Sequence, residues 1–142
     1  MSPGGRAIRV SLAGTDLAVA IDLLDEENPE SVAALWDALP IESSFGHTVV
    51  SGGGIWIPTT IVHIGRTVPR ERTVGSVYLY GPMQIIAMTY GQISESAHVN
   101  EVGRVRQADL PVLTKIGKIV WDRTIASGER LLTPVVVERS QG

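Results

Sequence analysis

Residues 28–42 read NPESVAALWDALPIE, a short helix with both ends specified, set between strand-like runs. Asn28 has the side chain of a helix cap, and Pro29 suits the first helical position because its missing N–H would be unpaired there anyway. Glu30 complements the positive N-terminal end of the helix dipole. Val32, Leu35, Trp36 and Leu39 recur at i, i+3, i+4 and i+7, which makes one apolar stripe. Pro40 stops the helix, since the residue before a proline is pushed out of helical geometry. A single stripe of this kind needs a sheet to cover.

The rest of the chain supplies strands. Ile8, Val10 and Leu12 alternate, residues 13–16 (AGTD) carry turn chemistry, and Leu17, Val19, Ile21 and Leu23 alternate again. That is a hairpin pattern. Residues 45–51 alternate, and Ser51 with three glycines reads as a hairpin tip ahead of Ile55-Trp56-Ile57. The glycines are not a phosphate cradle, because no Gly-Lys-Ser/Thr follows and no helix opens after them. Residues 58–73 are the least regular part, with Arg66, Arg70 and Arg72; an irregular stretch of that length in a compact domain is often functional. Strands are expected over residues 74–80, 84–90 and 99–106. Asp109 is expected to cap a second helix, with Pro111 in its first turn and Val112, Leu113, Ile116, Ile119 and Val120 as its buried face, ending near Ser127-Gly128. Residues 131–139 form a last strand, with Pro134 expected at an edge or bulge.

Eight or nine strands against two helices give an α+β fold, most economically a closed or nearly closed antiparallel β-barrel, because closure hides strand edges. At 142 residues the chain reads as one domain over 1–142. A formal charge of -3 lacks the basic footprint of a nucleic-acid binder. The absence of cysteine removes disulfides, zinc–thiolate sites and thiol nucleophiles, and fits a reducing compartment. The start lacks the apolar core of a signal peptide and no apolar run is long enough to span a bilayer, so a soluble cytoplasmic protein without membrane partners is expected.

Three segments carry a resemblance to a known group: ENPESVAALWDALPIE (27–42), VGSVYLYGPMQIIAMTYG (74–91) and VNEVGRVRQADLPVL (99–113). In this order and spacing they resemble bacterial cyclophilin-like small barrels related to the opine-forming enzyme cucumopine synthase. The resemblance implies a cyclophilin-like barrel with two capping helices. It also implies a cofactor-free Pictet–Spengler-type condensation of an amino acid-like aromatic amine with an aldehyde or keto acid, in a biosynthetic pathway. The match to proline isomerases of that fold is poor. Their proline groove is lined by an arginine and several aromatics, notably phenylalanines, whereas Phe45 is the single phenylalanine here.

Such a reaction needs a dry pocket, an acid/base group and a donor for the departing water, with no metal and no cofactor. Glu101 is the first candidate. Period two places it on the face of Val99, Gly103 and Val105, where apolar surroundings would raise a carboxyl pKa and Gly103 would leave room for a ligand. A strand turned the other way would put Glu101 in solvent or in an ion pair with Arg104 or Arg106. His47 and Tyr80 complete the expected catalytic set. His63 and His98 are further candidates, although the spacing of the three histidines matches no metal motif. Tyr78 shares a face with Tyr80, Tyr90 aligns with Met88 and Ile86, and Trp56 offers a stacking wall. Glu42, just past the proline stop, is expected to look into the barrel end. Arg72 and Arg104 are expected to grip a substrate carboxylate bidentately. No serine nucleophile elbow is present.

Two other functions remain beside the enzyme: a non-catalytic small-ligand-binding barrel, and a peptidyl-prolyl isomerase. The expected partner is a small-molecule substrate, with a homodimer as a further option.

Overall fold

The structure is a computed structural model that describes residues 5–49, 52–94, 96–129 and 131–140. The described strands are β1 (Ala7–Leu12), β2 (Ala18–Leu23), β3 (Ile41–Ser44), β4 (Gly46–His47), β5 (Gly52–Pro58), β6 (Pro69–Glu71), β7 (Ser76–Tyr80), β8 (Ile85–Ile93), β9 (His98–Val105) and β10 (Pro134–Ser140). Helix α1 (Pro29–Ala38) lies between β2 and β3, and α2 (Leu110–Trp121) between β9 and β10. All pairings are antiparallel, in the order β3-β10-β1-β2-β9-β7-β8-β5-β4, with β6 added to the start of β9.

The ends of that order are consecutive in sequence. β3 pairs with β10, and after Phe45 the chain continues as β4 against β5. The Ser43 hydroxyl also donates to the Pro58 carbonyl at 2.8 Å. One bent segment therefore bridges the first and last strands, and the barrel is nearly closed. This leaves few open edges, which is what closure achieves for an all-antiparallel sheet.

Alternation fills the inside. Ile8, Val10, Ile21, Ile55, Ile57, Val77, Ile86, Met88 and Val137 are all at most 1% exposed and belong to one apolar cluster. Val32 and Leu35 of α1 and Leu113, Ile116 and Val120 of α2 join that cluster. Burying side chains of this size is worth about 1.5–3 kcal/mol each. α2 touches β2 and also β4, β5 and β8, which lie on different sides of the cylinder. Only an element laid across the barrel mouth can do that.

Several expectations about local structure need correction. Asn28 precedes α1 as expected, but its side chain makes no capping bond. Its amide instead donates to Asn100 Oδ1 at 2.7 Å and to the Glu101 carbonyl at 2.8 Å, tying the helix start to β9. Asp109 also makes no side-chain cap; its carboxylate accepts the Ala20 N–H at 2.8 Å. Pro134 sits at neither an edge nor a bulge. It is the first residue of β10, which has a partner on each side, a place where its missing donor is tolerated. The glycines Gly52–Gly54 belong to β5 rather than to a free tip, and residues 50 and 51 lie outside the described residues. Among the described residues no helix is long and apolar enough to cross a membrane.

Candidate functional site

The interior is occupied by the apolar side chains of the cluster described above. A cavity of about 790 Å³ lies instead on the outer side of the sheet, a size usual for small-molecule sites. Its position follows from register. Gly46 pairs with Trp56, Trp56 with Ala87, Ala87 with Tyr78, and Tyr78 with Glu101. These five residues form one row across β4, β5, β8, β7 and β9. Directly opposed residues share a face, and successive residues alternate. The neighbouring row, His47–Ile55–Met88–Val77–Gly103, faces the core. The row containing Trp56 and Tyr78 therefore faces outward.

Six of the eleven residues singled out in the sequence line this cavity: Trp56, His63, Arg72, Tyr78, Tyr80 and His98. Trp56 and Tyr78 come from the sheet face, and Tyr80 from the end of β7. His63 and Arg72 come from the irregular stretch before β7 and its exit from β6, and His98 from the start of β9. The stretch is anchored by backbone and side-chain bonds. The His63 Nε2–H donates to the Arg66 carbonyl at 3.0 Å, and the Val68 N–H donates to Asn100 Oδ1 at 3.2 Å. The Arg72 N–H donates to the Ala97 carbonyl at 2.8 Å. No carboxylate is among the described lining residues, so the ionisable side chains there are one guanidinium, two imidazoles and two phenols. Aromatic walls with cationic groups suit a flat ligand that carries a negative charge.

Glu101 does not line the cavity. The register of β7 against β9 shifts between Val77 and Tyr78, so that Val102 has no opposite partner. One extra residue reverses the faces beyond it. Glu101 accordingly leaves the face of Gly103 and Val105 and joins that of Ser76, Tyr78 and Arg104. It is 1% exposed, yet its neighbours are polar. The Ser76 hydroxyl donates to Oε2 at 2.5 Å, Arg104 Nη1 donates to Oε2 at 3.1 Å, and Arg70 Nε stands 3.9 Å from Oε1. Arg104 thus grips this carboxylate rather than lining the cavity, and its Nη2 donates to the Val74 carbonyl at 2.9 Å. Gly103 offers no ligand space either, because a Cβ there would lie 2.7 Å from the Ile21 side chain.

His47 and Tyr90 are brought together on the core side, beneath α2. The Tyr90 hydroxyl lies 2.5 Å from His47 Nε2, while Nδ1 lies 2.6 Å from the Thr48 carbonyl. A carbonyl only accepts, so Nδ1 carries the proton and Nε2 accepts from the phenol. The imidazole also meets the Trp121 ring edge-on, with centroids 4.9 Å apart. Gly117 of α2 lies under the Tyr90 ring, where a Cβ would come within 2.4 Å. The pair is a packed structural contact, separated by the sheet from the outer cavity. Glu42 is exposed on β3, opposite Val136, and looks into no barrel end.

Burial raises the Tyr90 phenol above its usual 10.0. The folded state then holds its proton more tightly than the unfolded chain does. Stability present below the unfolded pKa is lost as pH climbs through the folded value. Unfolding free energy measured from about pH 9 upward should therefore fall, and Tyr90→Phe should remove part of that fall. An identical slope in the variant would contradict the assignment.

The sequence reading missed Thr48, Thr67, Met83 and Asn100 among the lining residues. None carries a local pattern pointing to a site; only their place on the outer face or at the cavity rim brings them in.

Comparison with known proteins agrees with the architecture. The structure of McbB in complex with tryptophan matches with a TM-score of 0.83 at 26% identity, covering 95% of this chain and 45% of the McbB chain. This chain thus spans a little under half the length of that neighbour. The solution structure of the hypothetical protein AF2241 from Archaeoglobus fulgidus matches at 0.60 with 22% identity, over 99% of this chain and all of the other. The Mimivirus cyclophilin matches at 0.56 with 14% identity, over all of this chain and 92% of the other. The fold is cyclophilin-like. No curated protein matches the sequence. The model of a protein family of unknown function, DUF3830, matches residues 10–103, which is 94 of the 142 residues. The chain belongs to the DUF3830 family.

Proposed function

We propose that the chain is a cofactor-free enzyme that joins an aromatic, carboxylate-bearing amine to an aldehyde or keto acid in the outer-face cavity. The reaction is a Pictet–Spengler-type condensation. The observation that carries this reading is the lining itself: two aromatic walls, Trp56 and Tyr78, with Arg72, His63 and His98 around one cavity of about 790 Å³. It is supported by the neighbour of TM-score 0.83, whose structure holds tryptophan.

The steps balance without an outside oxidant. The amine adds to the carbonyl carbon and one water leaves, giving an imine. A ring carbon then attacks the imine carbon, and loss of that ring carbon's proton restores aromaticity. Arg72 would hold the carboxylate bidentately, and Trp56 and Tyr78 would flank the ring. Tyr80 would donate to the departing water. A neutral imidazole nitrogen can accept a proton, so His98, with His63 also lining the cavity, is the proposed proton acceptor. Glu101 is then a positioning residue. It pairs with Arg70 on β6, the short strand that leads into Arg72.

Placement of Glu101 outside the cavity, already paired by Ser76 and Arg104, favours a second reading: the same pocket as a non-catalytic ligand-binding site. Incubation with tryptophan and a panel of aldehydes and keto acids separates the two. The enzyme reading expects a product whose mass equals the reactants less one water, formed about 10²-fold more slowly by His98→Ala. Ligand binding without any such product would replace the enzyme by the binding protein.

A further inference from the structure

Gly46 was not singled out by any sequence pattern, and it holds a particular place in the cavity wall. It opposes Trp56 across the β4–β5 pair. A Cβ built on Gly46 would lie 2.3 Å from Trp56 Cη2, 2.3 Å from Cζ2 and 2.5 Å from Cε2. Three contiguous ring atoms at nearly equal distance mean that Gly46 lies beneath the face of the indole, under its six-membered ring. The opposite face is the one left to the cavity, which Trp56 lines.

We propose that Gly46 is the specificity-determining residue of this cavity, the bare backbone that seats the Trp56 indole and so leaves room for a bicyclic planar ring. The inference rests on the aromatic-ligand reading above and adds the ring size it selects. A methyl group at residue 46 would sit more than an ångström inside the 3.4 Å at which ordinary contact begins. Backbone on both strands is fixed by ladder pairing with β5 and β8. The indole is the part that must yield, and it yields away from Gly46, into the cavity. The displaced part is the six-membered half, while the five-membered half stays anchored near its own Cβ. A one-ring ligand can still lie over the anchored half, whereas a two-ring ligand needs both.

The test is calorimetric titration of tryptophan and phenylalanine into wild type and Gly46→Ala, with melting temperatures recorded for both proteins and for Trp56→Ala with and without Gly46→Ala. The expected result is at least a tenfold loss of tryptophan affinity in Gly46→Ala with less than a threefold change for phenylalanine. Gly46→Ala should also lower the melting temperature when Trp56 is present, and leave it unchanged when residue 56 is alanine. Equal losses for the two ligands, or an unchanged preference, would overturn the specificity role while leaving the functional reading intact. A wild type that binds neither amino acid would overturn the functional reading and the ring-size role together. The melting temperatures judge the seat separately, even if Gly46→Ala folds poorly: equal effects of Gly46→Ala with and without the indole would refute it.

Discussion

Arg104→Met is expected to destabilise the fold by about 3 kcal/mol, the lower part of the range of roughly 3–5 kcal/mol for removing one partner of a buried ion pair. The remaining carboxylate of Glu101 is 1% exposed and would keep only the Ser76 hydroxyl and Arg70, whose Nε is 3.9 Å away. The lower figure applies because the Arg104 side chain is itself 42% exposed and Arg70 persists. For a domain of this size the change corresponds to a fall in melting temperature of about 10 °C. Glu101→Gln combined with Arg104→Met should recover part of the loss, since no buried charge is then left uncompensated. Urea unfolding of the three variants checks this. A loss below about 1 kcal/mol would mean that the pair behaves as an exposed one.

Trp56→Ala is expected to weaken tryptophan binding by about 2–3 kcal/mol, roughly 30- to 150-fold, as truncation of a central tryptophan anchor commonly does. The loss combines stacking with the apolar area of the indole. Folding should survive, because Trp56 is half-buried on the outer face and is not a member of the interior cluster. By contrast, a truncation at Ile55 or Ile57, its strand neighbours inside the barrel, would remove core packing and cost about 2–5 kcal/mol of stability.

Periodicity made the β1–β2 hairpin, α1, α2 and the β7–β8 pair readable, because each has one apolar face over several residues. β3 and β6 were not readable. Ile41-Glu42-Ser43-Ser44 and Pro69-Arg70-Glu71 are held by backbone pairing to β10 and β9, and backbone pairing leaves no apolar pattern. The same limit governs the site. Residue types on alternate positions of β5 and β7 marked Trp56, Tyr78 and Tyr80, and the irregular arginine-bearing stretch stood out as functional. Which face the rings would take depends on where the strands close, and no local segment encodes that. Glu101 shows how one residue changes the result. An unpaired Val102 shifts the count, and a carboxylate assigned to apolar neighbours finds Ser76 and Arg104 instead. Gly46 escaped notice for a related reason, since its significance lies in Trp56, which meets it only across the strand pair.

The central claim is that the outer face over Trp56 and Tyr78 receives an aromatic amino acid. Calorimetric titration of tryptophan into wild type and Trp56→Ala tests it most directly. The account predicts saturable one-to-one binding to wild type and at least 30-fold weaker binding to the variant, with both proteins folded. Equal affinities, or no binding by folded wild type, would contradict it.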